Sequence, residues 1–163
     1  MTRTAALESI GFDIRRELPA LVPRAIAWAE EQARIVLQFG RPLHEPFISI
    51  ARCVGVVRPE RIRILDVRQI PIPDDPLLQD AATATELIGR NMAGLTLGYA
   101  VFACHGHGES IRLLSHEFRH VYQYEQAGSI AAFLPTYIDQ IVSNGYQNAA
   151  LEVDARIHEI SEV

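Results

Sequence analysis

The sequence predicts an α+β domain. Several stretches place apolar residues at helical spacing, two others alternate as strands do, and 163 residues are enough to bury one sizeable core. The apolar share of 48% is ordinary, and no run is long enough to span a bilayer, so a membrane is not an expected partner. A net charge of −5 with no basic block argues against nucleic acid. No basic stretch followed by an apolar one opens the chain, which makes a cytoplasmic address the expectation. Cys53 and Cys104 stand far apart and alone, which predicts buried free thiols and no disulfide framework or cysteine zinc site. All 15 basic residues are arginine, which removes Schiff-base, pyridoxal-phosphate and P-loop lysine chemistry.

In chain order, residues 1–18 are polar, and the only regular element they suggest is a short helix from Ala5. Pro19 and Pro23 then open a helix in which Val22, Ile26, Ala29, Ala33 and Val36 or Leu37 recur, and Gly40 closes it. Trp28 and Phe39 read as core anchors within it, and Glu30 and Glu31 as a solvated face. Residues 46–57 are short and apolar, and periodicity leaves both helix and buried strand open. Residues 61–70 alternate with a phase shift at Leu65, the pattern of a strand with a bulge or bend, and Pro71, Pro73 and Pro76 end it. A helix over 77–92 follows, with Leu78, Ala81 or Ala82, Leu87 and Ile88 inward. Residues 95–104 read as one strand, with Leu95, Leu97, Tyr99, Val101 and Ala103 on one side. The loop that follows contains His105 and His107, more in the manner of an exposed turn than of a metal site, and Ser110 is the expected N-cap of the next helix.

Residues 111–124 carry the chemistry. They contain His-Glu-x-x-His, and on a helix His116 and His120 share a face with Cβ atoms about 5–6 Å apart, so one metal ion can bridge them. Zinc takes neutral imidazole nitrogens at about 2.0–2.1 Å and keeps a position open for water. Glu117 points about 100° round the helix, where its carboxylate can act on that water as a general base without being a ligand. Ile111, Leu114, Phe118, Val121 and Tyr122 fall on the opposite side, so the histidine face needs cover from elsewhere in the chain. Arg119 reads as an exposed or salt-bridged helix residue. Downstream, Pro135 falls near the start of a helix over 130–144, and a last helix runs from the Tyr146 region to about Glu162. Glu152 on that last helix is the carboxylate such a site needs as a third ligand.

These residues resemble the zincin metallopeptidases, in particular the gluzincin type, whose third zinc ligand is a glutamate on a later helix. They look closest to short bacterial zincin-like domains with a His-Glu-x-x-His-Val-x-Gln core and a later Glu-x-Glu/Asp-Ala segment, matched here by Leu114 to Gln123 and by Tyr146 to Ala155. The likeness covers roughly residues 94–158. It implies a small single domain with a short mixed sheet whose edge strand packs against the His-Glu-x-x-His helix. It also implies Zn2+ held by His116, His120 and Glu152, and a peptide or protein substrate. Residues 95–104 would then be the sheet edge to which a peptide adds, with Gly98, Tyr99 and Ala100 contacting it. The thermolysin-type pattern puts an aspartate four residues after the glutamate to hold a zinc histidine; this chain has Arg156 there, and Asp154 is the alternative.

The expected reaction is hydrolysis at a zinc-polarised carbonyl, with Glu117 taking the water proton and returning it to the leaving amine. Tyr146, then Tyr137 and His105, are the candidates for stabilising the oxyanion. Two rival readings stand beside this one. One is a zinc-binding interaction module of the same fold without catalysis, and the other an ordinary α+β protein with exposed histidines.

Overall fold

A computed structural model describes residues 13–88 and 92–161. The helix expected from Ala5 lies outside these residues. Helix α1, Ile14–Phe39, begins well before the prolines expected to open it, because the Asp13 carboxylate accepts hydrogen bonds from the Arg15 and Arg16 N–H groups. Pro19 and Pro23 lie inside the helix on exposed positions, so the backbone bonds they remove face solvent. Trp28 packs on the core as expected, but Phe39 at the helix end is 67% exposed and anchors nothing.

The ambiguous stretch after Pro46 is a helix, α2 (Phe47–Cys53), fastened at its start by the Glu45 carboxylate accepting from both N–H and hydroxyl of Ser49. Strand β1 (Arg41–Pro42) precedes it and β2 (Arg63–Val67) follows. Helix α3 (Pro76–Thr85), capped by Asp75, is shorter than its apolar pattern predicts, since Glu86 adopts a left-handed conformation at φ 58° and stops it. Next come β3 (Gly94–Leu97) and β4 (Ala100–Cys104), then α4 (Ile111–Ala127), α5 (Ile130–Asn144) and α6 (Ala150–Ile157). The described residues thus hold six α-helices and four strands, an α+β domain with the short mixed sheet that was expected.

The sheet order is β1-β2-β4-β3, with β2 and β4 parallel and the outer pairs antiparallel. Residues 95–104 are therefore two strands joined at Gly98 and Tyr99, with Gly98 at φ 67°, where a side chain would be strained. That turn shifts the facing. Leu95 and Leu97 pair with Phe102 and Ala100 on one face, and Thr96 pairs with Val101 on the other. Strand β2 keeps an unbroken ladder from Arg63 to Val67, with no bulge at Leu65. Its apparent phase shift reflects burial on both faces, Ile62 and Ile64 in one core cluster and Leu65 and Val67 against the other.

One core cluster joins Ile64, Val101 and Ala103 of the sheet to Leu114, Phe118 and Val121 of α4 and to Ala51 of α2. The other joins Leu97, Ala100 and Phe102 to Ala29, Ala33 and Val36 of α1 and to Phe133 and Leu134 of α5. Helices therefore cover both faces of the sheet. Among the described residues no helix is long and apolar enough to cross a membrane. Phe118 is fully buried between α4 and the sheet. Its replacement by alanine is expected to lower the unfolding free energy by about 3–5 kcal/mol in urea titrations, through lost burial and the cavity left behind.

Candidate metal centre

Helix α4 starts where the Ser110 hydroxyl accepts from Leu113 N–H and ends at Gly128, in the left-handed region at φ 98°. Its Leu114, Phe118 and Val121 face the sheet, while Ser115, His120 and Gln123 are buried on the far side. The cover the histidine face needs comes from α6, α5 and the segment after α6. Ser115 accepts a hydrogen bond from Ile160 N–H at 2.8 Å, which lays residues 158–161 along α4. The last helix accordingly stops at Ile157, short of the predicted Glu162, and releases Glu159 toward His116.

His116, His120 and Glu152 converge, each offering a ligand atom within 4.8 Å of the others. The two histidine Nε2 atoms are 3.2 Å apart. Glu152 Oε1 lies 3.1 Å from His120 Nε2 and Oε2 lies 3.3 Å from His116 Nε2. The far nitrogens are committed elsewhere. His116 Nδ1 donates to Glu159 Oε1 at 3.0 Å. His120 Nδ1 faces Gln123 Oε1 at 2.8 Å, and because the Gln123 amide donates to Leu151 O and Asp154 Oδ2, that oxygen can only accept. Both neutral rings therefore carry hydrogen on Nδ1 and turn a bare Nε2 lone pair to the centre. Tyr137 donates to Glu152 Oε1, yet Oε2 is buried without any hydrogen-bond partner.

Two lone pairs and a buried carboxylate facing one another repel unless a cation sits between them. The acid–base behaviour says the same. Burial pulls the His116 pKa down, but Glu152, Glu117 and Glu159 outweigh it and raise it to about 9. His120 is raised too, burial opposing and Glu152 and Glu117 prevailing. Burial alone would raise Glu152, but the two histidines beside it, once charged, and Tyr137 hold it well below the usual carboxylate range. The centre is built for positive charge, whether a proton or a metal ion. These three side chains could hold a metal, and Glu152 Oε2 is the orphaned acceptor one would satisfy.

Glu117 sits beside the triad, buried against β3. The Thr96 hydroxyl contacts its Oε2 at 2.6 Å, and Gly94 is so close that a Cβ there would lie 2.8 Å from Oε1. Tyr146 borders the same space. Burial first, then the charges of Glu152 and Glu117, push its hydroxyl far above the usual tyrosine range, so it stays a neutral donor. Tyr137 is likewise kept protonated, and its hydroxyl donates to Glu152, toward which Tyr146 also turns.

The substrate-contact assignment needs correction. Gly98, Tyr99 and Ala100 lie at the far end of the hairpin: Gly98 faces Ile130, the Tyr99 hydroxyl donates to Glu125, and Ala100 is fully buried in an interior strand. The edge strand is β3, and its triad end is Gly94. Asp154 does not hold His116 or His120 directly: its carboxylate bonds Arg119 and Gln123 and pairs with His158 at 3.4 Å. Arg119, as expected, is a salt-bridged helix residue. Around His105 and His107 no second cluster of ligand type forms among the described residues.

No protein-family model, curated protein or solved structure matches this chain. The site rests on its own geometry. Sequence reading missed Gln123, Glu159, Thr96 and Gly94. Gln123 alone had a signal, lying three residues after His120 on the same helix; Glu159 and β3 reach the site through tertiary folding. Replacing Gln123 by leucine removes the acceptor that fixes His120. It is expected to weaken divalent-cation binding by roughly 10–100-fold, read by competition with a chromophoric chelator while circular dichroism stays native.

Proposed function

We propose that this chain is a zinc-dependent hydrolase of peptide-type amide bonds. The observation that carries the reading is the triangle of donors, with edges of 3.1–3.3 Å between His116 Nε2, His120 Nε2 and the Glu152 oxygens. A tetrahedral ion with bonds of 2.0–2.1 Å needs donors about 3.3 Å apart, and two imidazoles plus a carboxylate are a donor set zinc accepts, with a fourth position left for water. When bound, zinc supplies Lewis acidity, lowering the pKa of water and polarising a carbonyl.

The chain's own groups supply the rest. Glu117, its Oε2 steadied by Thr96, takes the proton of the attacking water and delivers it to the departing amine. Tyr146, a neutral donor beside Glu117, meets the oxygen on which negative charge develops. Tyr137 orients Glu152, and Glu159 and Gln123 keep both imidazoles presenting Nε2. An exposed pair of histidines without this backing would support the plain α+β reading; here both are enclosed.

The expected outcome of elemental analysis is about one zinc per chain, lost in His116→Ala and Glu152→Ala, with a chelator lowering the melting temperature of the wild type alone. Glu117→Gln is expected to retain zinc and to lose amide cleavage by roughly 10²–10⁴-fold. Zinc-free protein after reconstitution, or full cleavage by Glu117→Gln, would refute the assignment.

A further inference from the structure

A large apolar cleft opens from the triad between α1, α3, β3 and α5. Its cavity volume is about 110 Å³. Its long wall is a stripe on α1, Ile14, Leu18, Leu21, Ala25 and Trp28, spaced by threes and fours so that every member faces the same way. At 1.5 Å per residue that stripe runs roughly 21 Å, longer than any single side chain. Leu78 and Ala81 of α3 stand among the other walls. The charged side chains lining it are Glu117 and Glu152, both at the triad end, with His120 beside them. A second opening, lined by Leu113, His116 and Glu159, meets the same triad from the other side. Gly94, Glu117 and Tyr146 border both openings, so the reacting position lies where an apolar space and a polar space join.

We infer that the substrate is a long-chain N-acyl amide, its alkyl chain lying along α1 and its amine side leaving through the polar opening. This rests on the proposed hydrolase reading and narrows its substrate. Among the described residues the charged groups of the cleft are gathered at the triad end, which suits an occupant that is uncharged where it lies along α1. A peptide main chain would fit poorly there. Away from the triad and β3 the polar side-chain groups in the wall are the Thr85 hydroxyl, which already donates to Ala81 O, the Tyr124 hydroxyl and the Trp28 indole N–H, too few to satisfy the amides of a buried peptide. An alkyl chain has no such groups to satisfy. In the reaction water adds to the acyl carbon, the C–N bond breaks, the carboxylate remains on the alkyl chain, and the amine takes the proton that Glu117 carries.

Trp28 is the one tryptophan of the chain and lines the cleft, so its emission reports occupancy independently of turnover. The experiment titrates zinc-loaded Glu117→Gln protein with N-acylglycines from C4 to C16 while wild type is assayed for glycine release. The expected result is a Trp28 shift whose affinity rises by about fourfold per methylene until the cleft is full. Ala25→Phe and Ala81→Phe, on opposing walls, should each abolish the chain-length gain. Chain-length-dependent binding without glycine release would sustain the cleft assignment and sink the hydrolase reading. Equal affinity for C4 and C16, or tighter Trp28-reported binding of an uncharged oligoleucine peptide than of the C16 amide, would overturn the acyl assignment even if the protein cleaves amides.

Discussion

The structure depends on one buried carboxylate. Glu152 is 1% exposed, two imidazole lone pairs point at it, and one of its oxygens has no hydrogen-bond partner. Such an arrangement persists only because each group is held from behind: His116 by Glu159, His120 by Gln123, Glu152 by Tyr137. Those supports recruit α4, α5, α6 and the segment after it, so the helices on this side are tied to one another through a buried polar cluster as well as through their apolar contacts.

That support chain extends outward in a graded way. Gln123 is fixed by Asp154, Asp154 also takes the Arg119 guanidinium, and Arg119 lies over the Tyr122 ring at 4.0 Å and donates to Val54 O near the end of α2. A single run of hydrogen bonds and ring contacts thus links the site to the core on the opposite face of α4. Tyr124, Phe133 and Tyr137 make a second link, stacked ring on ring from the α1 side toward Glu152.

What was legible in the sequence was local. His116, His120 and Glu117 follow from helical spacing alone, and Glu152 from its place on a later helix, because a helix fixes which residues share a face. The hairpin was misread because a two-residue turn shifts the phase of alternation without breaking its apolar run, so Leu95 and Ala103 seemed to share a side they do not share. The phase shift in β2 misled in the converse way, since a strand covered on both faces has no polar side to keep the count. Phe39 failed as an anchor because an aromatic at the last position of a helix has no neighbouring element to cover it. Glu159 had no periodic signal at all, because its place is set by the bond between Ile160 and Ser115.

Gly94 gives the site a mechanical property. The hydrogen on its α-carbon is all that separates the edge strand from the Glu117 carboxylate, with space for a methyl group already taken. The position of β3 therefore limits the room in which the carboxylate can turn. The aperture between the two openings is set by the same atoms. A side chain added at Gly94 would therefore have to displace the Glu117 carboxylate, the strand or both.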